Sequence, residues 1–376
     1  IEPSRGLGDV YKRQEIDREQ REFSASQLEP QSESTPNISE RKKDHIDICL
    51  KNNVNSQVSA GWDKVRIPHC ALPEINFDSI NLAKEFLGHP LETPFLISSM
   101  TGGTPSCDEI NLQLARACEK HQMAMGLGSL RIFLEEDKCH ELKKIRREAP
   151  NSFLAANIGL VQFNYGVSVG DCQKLIDSLE ANALILHCNV LQEAIQFEGD
   201  RDFSDLFSKL DKLKKSCSVP LILKETGSGL DAQTCQRAVE AGIDCLDIAG
   251  MGGSHWGFIE GLRHPKRKVL GEIFRDWGIP SLEALQTALN VVGKNIPVIA
   301  SGGLKNGLDA AKAYYIGASL VGFAKPFLTA LKNNEESLDN FIVEQKEALK
   351  IALFCSGSST LEAVSYTHLT LPTSPH

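Results

Sequence analysis

The sequence predicts an α/β fold, a (β/α)₈ TIM barrel that follows an N-terminal arm. Eight short apolar runs follow one another from Pro94 onward, a glycine or polar residue ends each run, and stretches with helical periodicity lie between them. Such runs are typical of parallel strands buried on both faces, and most recur after about 25 to 35 residues, the length of one βα unit. A doubly wound open sheet would need fewer strands and a G-x-G-x-x-G turn after the first run, which is absent.

The apolar runs give the strand positions. The predicted strands are residues 95–97, 123–125, 153–155, 183–186, 219–223, 245–248, 297–300 and 320–323. Between them, apolar residues recur three or four positions apart, for example over 110–118 and 308–314, as expected for helices. Eight such units are the number that closes a TIM barrel.

Composition limits the classes of partner. The 376 residues carry a net charge of −9, so the dense basic face that nucleic acid requires is not expected. No apolar stretch approaches the roughly 18 residues of a membrane span, and neither a signal peptide nor a transit peptide is recognisable. The 11 cysteines form no C-x-x-C pair and are scattered singly, so we expect no disulfide framework or cysteine metal site and a reducing, cytoplasmic location.

The two ends differ from the rest of the chain. Residues 1–14 and 365–376 share no periodicity with their neighbours and resemble translated sequencing-adapter sequence, whereas residues 15–40 are polar and predict a flexible arm. We therefore divide the chain into a non-native or disordered segment over 1–40, a barrel with its arm over 41–355, and a tail over 356–376 that is non-native from about 365.

Polar residues stand at the end of every predicted strand. In order, they are 98–103 and 126–131, Asn157, His187 with Asn189, Lys224 with Glu225, Gly250 with 252–254, 301–303, and Ala324 with Lys325. One such residue alone is usually a cap or a satisfied core group. Eight in succession predict an active site, because catalytic residues of a TIM barrel stand at the C-terminal ends of its strands.

The last two strand ends predict a phosphate site. Ser301, Gly302 and Gly303 let backbone amides approach an anion, and the segment 322–325 supplies amides and a cation from the other side. The loops after strands seven and eight commonly bind phosphate in this fold. The alternative is a pair of tight turns without a ligand.

Three charged features each have more than one interpretation. Lys224 could form a Schiff base, stand beside an anionic cofactor ring, or pair with Glu225 or Asp247 for structure alone. Glu193 could hold Mg²⁺ if a diphosphate and water complete the octahedron, or be a surface carboxylate. The basic segment 41–45 is either a solvated face or an anion-clamping arm.

The motifs over 41–328 together resemble type 2 isopentenyl-diphosphate isomerases. They are R-K-K-D-H, S-S-M-T-G-G, G-L-G-S-L-R, A-N-I-G, H-C-N-V-L-Q-E-A-I-Q-F-E-G-D-R-D-F, L-K-E-T-G-S-G, D-I-A-G-M-G-G-S-H-W, W-G-I-P-S, A-S-G-G-L-K-N-G-L-D and G-F-A-K-P-F-L. The segment Q-E-A-x-Q-x-E-G-D-R-D-F is highly specific, whereas the phosphate motifs recur in other FMN barrels.

The resemblance implies conversion of isopentenyl to dimethylallyl diphosphate without net redox change, with reduced FMN moving the protons. It implies Mg²⁺, NADPH as reductant of the flavin, and a homo-oligomer, either a tetramer or an octamer. The implied flavin site is Ser99, Met100, Thr101, Ser129, Asn157, Lys224, Ser254, Gly302, Gly303, Lys305, Ala324 and Lys325. The implied substrate site is Arg41, Lys42, His45, Ser129, Leu130, Arg131 and Gln192, with Glu193 on the metal. No side chain is assigned as the acid or base, and Gln192 and His187 are supporting residues.

The chain departs from the family pattern at a few positions. Leu130 stands where a polar residue is usual, Ala249 replaces a hydroxyl residue, and Ser254 keeps the hydroxyl of a usual threonine. Lys325 stands where arginine is frequent, which exchanges a bidentate phosphate donor for a point charge. These changes affect affinity more than reaction type.

Three rival functions share parts of this pattern. An FMN-dependent 2-hydroxy-acid oxidase has the same fold and phosphate site, but its catalytic histidine follows strand six directly, whereas His255 lies several residues further along. A Schiff-base aldolase would use Lys224. A barrel that only stores flavin or senses an anion has no need for the convergence of Gln192, Glu193 and Arg131.

Overall fold

The computed structural model describes residues 38–100 and 105–365, with the backbone alone described at 38–40 and 105–107. The predicted flavin residue Thr101 and the terminal segments 1–37 and 366–376 lie outside the described residues. The described part ends in a short helix, Leu361–Val364, whose two terminal residues are buried.

Eight parallel strands close into a barrel, as the sequence predicted. A hairpin of β1 (Lys84–Phe86) and β2 (His89–Leu91) precedes it. The barrel strands are β3 (Phe95–Ile97), β4 (Ala124–Gly126), β5 (Phe153–Gly159), β6 (Ala183–Cys188), β7 (Leu221–Glu225), β8 (Cys245–Asp247), β9 (Val298–Ser301) and β10 (Leu320–Phe323). Each strand pairs with the next in chain order, and β10 pairs with β3, so the sheet has no free edge. The TIM-barrel fold class is therefore confirmed.

Helices surround the barrel. They are α1 (Ile38–Lys51), α2 (Pro105–His121), α3 (Arg131–Glu135), α4 (Leu142–Glu148), α5 (Val169–Leu179), α6 (Val190–Ile195), α7 (Leu206–Lys214), α8 (Ala232–Glu240), α9 (Trp256–Arg263), α10 (Lys268–Ile273), α11 (Ser281–Val292), α12 (Gly307–Ile316), α13 (Lys325–Leu331), α14 (Glu335–Cys355) and α15 (Leu361–Val364). Polar caps set several starts: Ser168 and Asp171 form a capping box on α5, and Asp231 accepts from the amide of Thr234 on α8.

The alternation of side chains along the strands builds two cores. On β6, Leu184 and Leu186 pack among the helices, whereas Ala183 and Ile185 belong to a second cluster inside the barrel. The inner cluster also contains Phe86 from the hairpin, whose ring lies edge-on to Phe153 at 5.4 Å between centroids. The inward-facing apolar residues of this second cluster form the floor of the barrel interior. Two residues further along each strand, the next inward-facing position lies at the open, C-terminal end of the barrel.

Candidate active site

A cavity of about 800 Å³ opens at the C-terminal end of the barrel, a volume typical of small-molecule sites. The inward position after the apolar floor is polar on most strands, so Ser98, Asn157, His187, Lys224 and Ser301 all face the cavity. The sequence predicted an active site at this end of the barrel. The alternation of side chains along each strand explains which residue of each polar segment points inward.

Most of the predicted site residues share this cavity. Those that line it are Arg41, Lys42, His45, Ser99, Met100, Ser129, Arg131, Asn157, His187, Gln192, Glu193, Lys224, Ser254, Gly302, Gly303, Lys305, Ala324 and Lys325. Leu130 is not among the lining residues, because its side chain is buried in the core and only its amide, which donates to the Asn157 carbonyl at 2.8 Å, faces the neighbouring strand.

His187 is held in one orientation by Asn157. The Asn157 amide donates to the Leu127 carbonyl at 2.8 Å, which leaves its Oδ1 to accept from His187 Nδ1 at 2.8 Å. Burial and the nearby Lys224 ammonium lower the pKa of His187 to about 4. The imidazole is therefore neutral at pH 7, with Nε2 as its remaining acceptor.

This environment makes the stability of the protein depend on His187 below neutral pH. The folded pKa lies below the ordinary value of 6.5, so the unfolded state binds more protons between pH 6.5 and 4, and stability is lost as the pH falls through that window. His187→Asn keeps the donor to Asn157 and removes the titration. We expect the wild type to lose about 1–2 kcal/mol more than the variant between pH 7 and 5 in urea unfolding. Parallel losses in both proteins would show that His187 is not titrating as proposed.

Lys224 forms an ion pair with Asp247. Its Nζ lies 3.0 Å from Asp247 Oδ2, both side chains are almost fully buried, and the hydroxyl of Ser301 donates to the other carboxylate oxygen. Of the three sequence interpretations, pairing with Asp247 is the one observed, and the ammonium still lines the cavity. A buried pair of this kind supplies a fixed cation beside whatever occupies the barrel mouth.

Hydroxyls and glycines form the opposite wall. The Oγ atoms of Ser98 and Ser99 are buried without a hydrogen-bond partner in the described part of the chain, and both residues line the cavity. Gly302 and Gly303 have φ of +95° and +69°, so a side chain would be strained there. A Cβ on Gly253 would lie 2.6 Å from the Gly303 amide nitrogen, so the loops after β8 and β9 approach each other as bare backbone. Orphaned hydroxyls and bare backbone are suited to a bound polar ligand.

Helix α1 brings two cations to the cavity. Lys42 is buried and its ammonium donates to the Ser129 carbonyl at 3.2 Å, whereas Arg41 lies 3.9 Å from Glu198. Arg131 adds a third, donating from Nη1 to Asp200 at 2.6 Å. The arm is therefore packed onto the barrel mouth with its basic residues directed at the cavity.

Glu260 on α9 connects several of these residues, and the sequence analysis missed it. Its Oε1 accepts from His45 at 2.8 Å and from Gln192 at 2.8 Å, and its Oε2 accepts from Arg263 at 2.6 Å. The amide of Gln196 fits between Glu260 and Arg41 at 3.1 and 3.0 Å. Burial alone would raise the pKa of Glu260, but His45 and Arg263 lower it to about 2. The signal in the sequence was a single acidic residue within the apolar run of this helix.

Glu193 lies in α6 with its carboxylate largely enclosed. Oε1 accepts from the Asn189 amide at 2.7 Å and Oε2 from the Asp200 backbone at 2.8 Å, and burial raises the pKa of Glu193. Arg201 does not pair with this carboxylate, since it donates to the backbone carbonyls of Glu193 and Gln196. Among the described residues, no cluster of three or more acidic, histidine or cysteine side chains could hold a metal ion by itself.

Comparison with known proteins identifies the family. A family model described as FMN-dependent dehydrogenase matches residues 185–371. The chain is 45% identical over 330 residues to the isopentenyl-diphosphate delta-isomerase of Synechococcus sp., covering 87% of this chain and 94% of that protein. It is 46% identical over 323 residues to the protein of that name from Rickettsia bellii, covering 85% and 94%. The chain belongs to the isopentenyl-diphosphate delta-isomerase family. The family recognised from the sequence motifs is confirmed.

Solved structures similar to this member of the isomerase family show the fold alone. A flavocytochrome b2 with sulfite bound has a TM-score of 0.65 at 15% identity, covering 95% of this chain and 94% of that one. A mandelate oxidase with an FMN adduct has a TM-score of 0.61 at 16% identity, covering 85% and 93%. In the described part of the chain, no helix has the length and apolar character to cross a membrane.

His255, the histidine nearest to the position that an oxidase would need, has a structural role in this isomerase-family chain. His255 is 1% exposed and caps α9, accepting from the Phe258 amide at 3.2 Å. Its other ring nitrogen is 3.2 Å from the Trp277 carbonyl, and burial lowers its pKa. His255 does not line the cavity. The oxidase alternative therefore has only the shared fold in its favour.

Proposed function

We propose that this protein interconverts isopentenyl and dimethylallyl diphosphate, with FMN and Mg²⁺ bound in the cavity at the barrel mouth. The observation that supports this most strongly is identity of about 45% along most of the chain to isomerases of that name, combined with one cavity that collects the motif residues. The assignment of roles to individual residues is part of the proposal.

The wall of serines and glycines fits FMN. The hydroxyls of Ser98 and Ser99, which have no hydrogen-bond partner among the described residues, would bond to the flavin, and the bare backbone at Gly302 and Gly303 would let its phosphate approach amides. The remaining flavin contacts are assigned to Met100, Thr101, Ser129, Asn157, Lys224, Ser254, Lys305, Ala324 and Lys325. Bound, reduced FMN would itself supply the acid and base that exchange protons with the substrate carbon. NADPH would serve only to reduce the flavin.

The opposite side fits the diphosphate. Arg41, Lys42 and Arg131 supply positive charge, and Ser129 and His45 lie beside them. Leu130, which the resemblance places here, keeps its side chain in the core and does not line the cavity. Glu193 would hold Mg²⁺ between itself and the diphosphate, because Mg²⁺ keeps several waters and takes oxygens from phosphates. Gln192 and His187 would orient the isoprenoid chain from positions next to the flavin.

The function is tested with purified protein. Heating should release FMN into the supernatant, and the reduced protein with Mg²⁺ should convert isopentenyl diphosphate to dimethylallyl diphosphate in the absence of net NADPH consumption. Release of FAD, or failure to bind any flavin after reconstitution, would overturn the flavin assignment. Oxidation of a 2-hydroxy acid with reduction of the flavin would favour the oxidase instead.

Replacing Arg41 and Lys42 with Ala should raise the KM for isopentenyl diphosphate on the order of 100-fold. Each cation is expected to form a charge-assisted hydrogen bond with a phosphate oxygen, and such bonds contribute more than neutral ones. Both residues belong to α1, outside the barrel, so the FMN content should be unchanged. Lys43→Ala is the matched control, since Lys43 is the exposed neighbour on the same helix. Loss of flavin together with activity would contradict the assignment.

We also propose a cytoplasmic homo-oligomer, a tetramer or an octamer. Val269, Ile273 and Trp277 are 70%, 67% and 62% exposed and lie close together in sequence on and just after α10. Large exposed apolar side chains grouped in this way mark protein contact surfaces. Light scattering would measure the assembly, and a monomer at micromolar concentration would contradict this part of the proposal.

A further inference from the structure

The carboxylate of Glu225 collects the backbone amides of the loop that follows β7. One oxygen, Oε2, accepts from the N–H groups of Thr226, Gly227, Ser228 and Gly229, the last at 3.2 Å. Successive amides that point at one centre form a concavity that binds anions. Here the anion is a side chain of the protein itself.

The strand alternation explains why Glu225 is available for this contact. Lys224 points into the barrel and pairs with Asp247, so the next residue, Glu225, points the other way. The carboxylate is 6% exposed and has no cation as a hydrogen-bond partner among the described contacts, so the four amides are its main compensation for burial. Burial raises the pKa of Glu225 to about 7, although each of the four amides lowers it. Pairing with Lys224, one of the sequence alternatives, is not observed.

The loop that Glu225 organises forms part of the cavity wall. Thr226 and Gly227 line the cavity. Gly227 has φ of +133°, where a side chain would be strained, and a Cβ there would lie 3.0 Å from the Ser254 carbonyl oxygen, so that the neighbouring loop would have to give way slightly. Gly229 also donates to the Ala249 carbonyl at 3.2 Å. Ala249 lines the cavity with φ of +32°, an uncommon value for a residue with a side chain. The loop after β7 therefore supports the loop after β8 where both face the ligand.

We propose that Glu225 is a positioning residue of the flavin site, holding the loop 226–229 so that its amides point away from the cavity and its bare backbone forms the wall beside Lys224. The inference rests on the proposed function, because it takes FMN as the occupant of this wall. Without the carboxylate, the amides of Thr226, Gly227 and Ser228 lose their acceptor, whereas Gly229 keeps the Ala249 carbonyl. The loop would then turn the freed amides toward water in the cavity. The freed amides would then compete with the Lys224 ammonium for the flavin at this strand end.

The test compares Glu225→Gln with Asp231→Asn. Both changes remove the charge of a carboxylate that accepts backbone amides in the same βα unit, but Asp231 caps α8 outside the cavity. Hydrogen exchange measured by mass spectrometry should show lost protection over 226–229 in Glu225→Gln alone. FMN titrated into the apoprotein, followed by quenching of flavin fluorescence, should bind at least about 10-fold more weakly to Glu225→Gln and equally to Asp231→Asn.

The outcomes separate the inference from the function. Wild-type protein that binds no FMN removes the proposed function, whatever the variants do. Wild-type binding with unchanged FMN affinity in a folded Glu225→Gln overturns the positioning role, even if exchange over 226–229 increases. If circular dichroism shows that Glu225→Gln does not fold, Gly227→Ala reshapes the same loop with Glu225 intact. That variant should weaken FMN binding to a similar degree, and wild-type affinity in it overturns the inference.

Discussion

Glu193→Gln should reduce turnover on the order of 100-fold while leaving the protein folded and its flavin bound. The carboxylate lies in the cavity wall, and a diphosphate beside it would be repelled unless a cation lies between them. Mg²⁺ supplies several kcal/mol of charge stabilisation in such a site, and Gln keeps the size of the side chain but cannot hold the ion by charge. Turnover should recover partly at Mg²⁺ concentrations at least about 10-fold higher.

The measurement is the isomerisation rate across a Mg²⁺ titration. Asp202→Asn is the control, since Asp202 is an exposed carboxylate in the same D-R-D-F segment. A small loss of stability is expected in Glu193→Gln, because the Gln amide would face the N–H of Asp200 or the amide of Asn189. A wild-type rate with an unshifted Mg²⁺ midpoint would remove Glu193 from the mechanism.

Glu260→Gln should lower both stability and substrate affinity. The variant leaves the buried Arg263 with Glu198 as its partner at 3.1 Å, and breaking a buried ion pair by changing one side costs about 3–5 kcal/mol. In a domain of this size that corresponds to a fall in Tm of about 4–7 °C. His45 and Gln192 lose the carboxylate that orients them, so the KM for the diphosphate should rise about 10-fold.

Calorimetry and steady-state kinetics check the two effects separately. Glu272→Gln is the matched control, because Glu272 is an exposed carboxylate paired with Arg275 at 3.5 Å, and pairs of that kind contribute little. A Tm within about 2 °C of the wild type would mean that the hydrogen-bonded neighbours of Glu260 rearrange without cost.

The strands and the face of the active site could be predicted because both depend on local patterns. An uninterrupted apolar run signals a strand buried on both sides, and the polar residue after it must stand at the barrel end. All eight runs became barrel strands, with ends shifted by at most two residues except in β5, which extends four residues further, to Gly159.

The polar contacts between distant segments could not be predicted in the same way. His45 and Glu260 are 215 positions apart, and only the packing of α1 against α9 brings them together. Lys224 had three interpretations because its partner depends on which strand lies beside β7, and Asp247 of β8 turned out to be that partner. Leu130 was assigned to the substrate only through the resemblance, and the sequence alone did not show whether its apolar side chain lies in the core or against a ligand.

The division of the cavity between the barrel and helix α1 affects how a preparation of this protein should be judged. The wall assigned to FMN belongs to strands β3–β10 and their loops, whereas Arg41, Lys42 and His45 come from a helix that begins at Ile38, before the first barrel strand. A protease that cut between α1 and the barrel, or a tag that displaced the helix, would leave a yellow, soluble protein unable to retain its substrate. The yellow colour and the yield would then show only that the barrel and its FMN wall are intact. Each batch therefore also needs a measurement of substrate binding, which depends on helix α1.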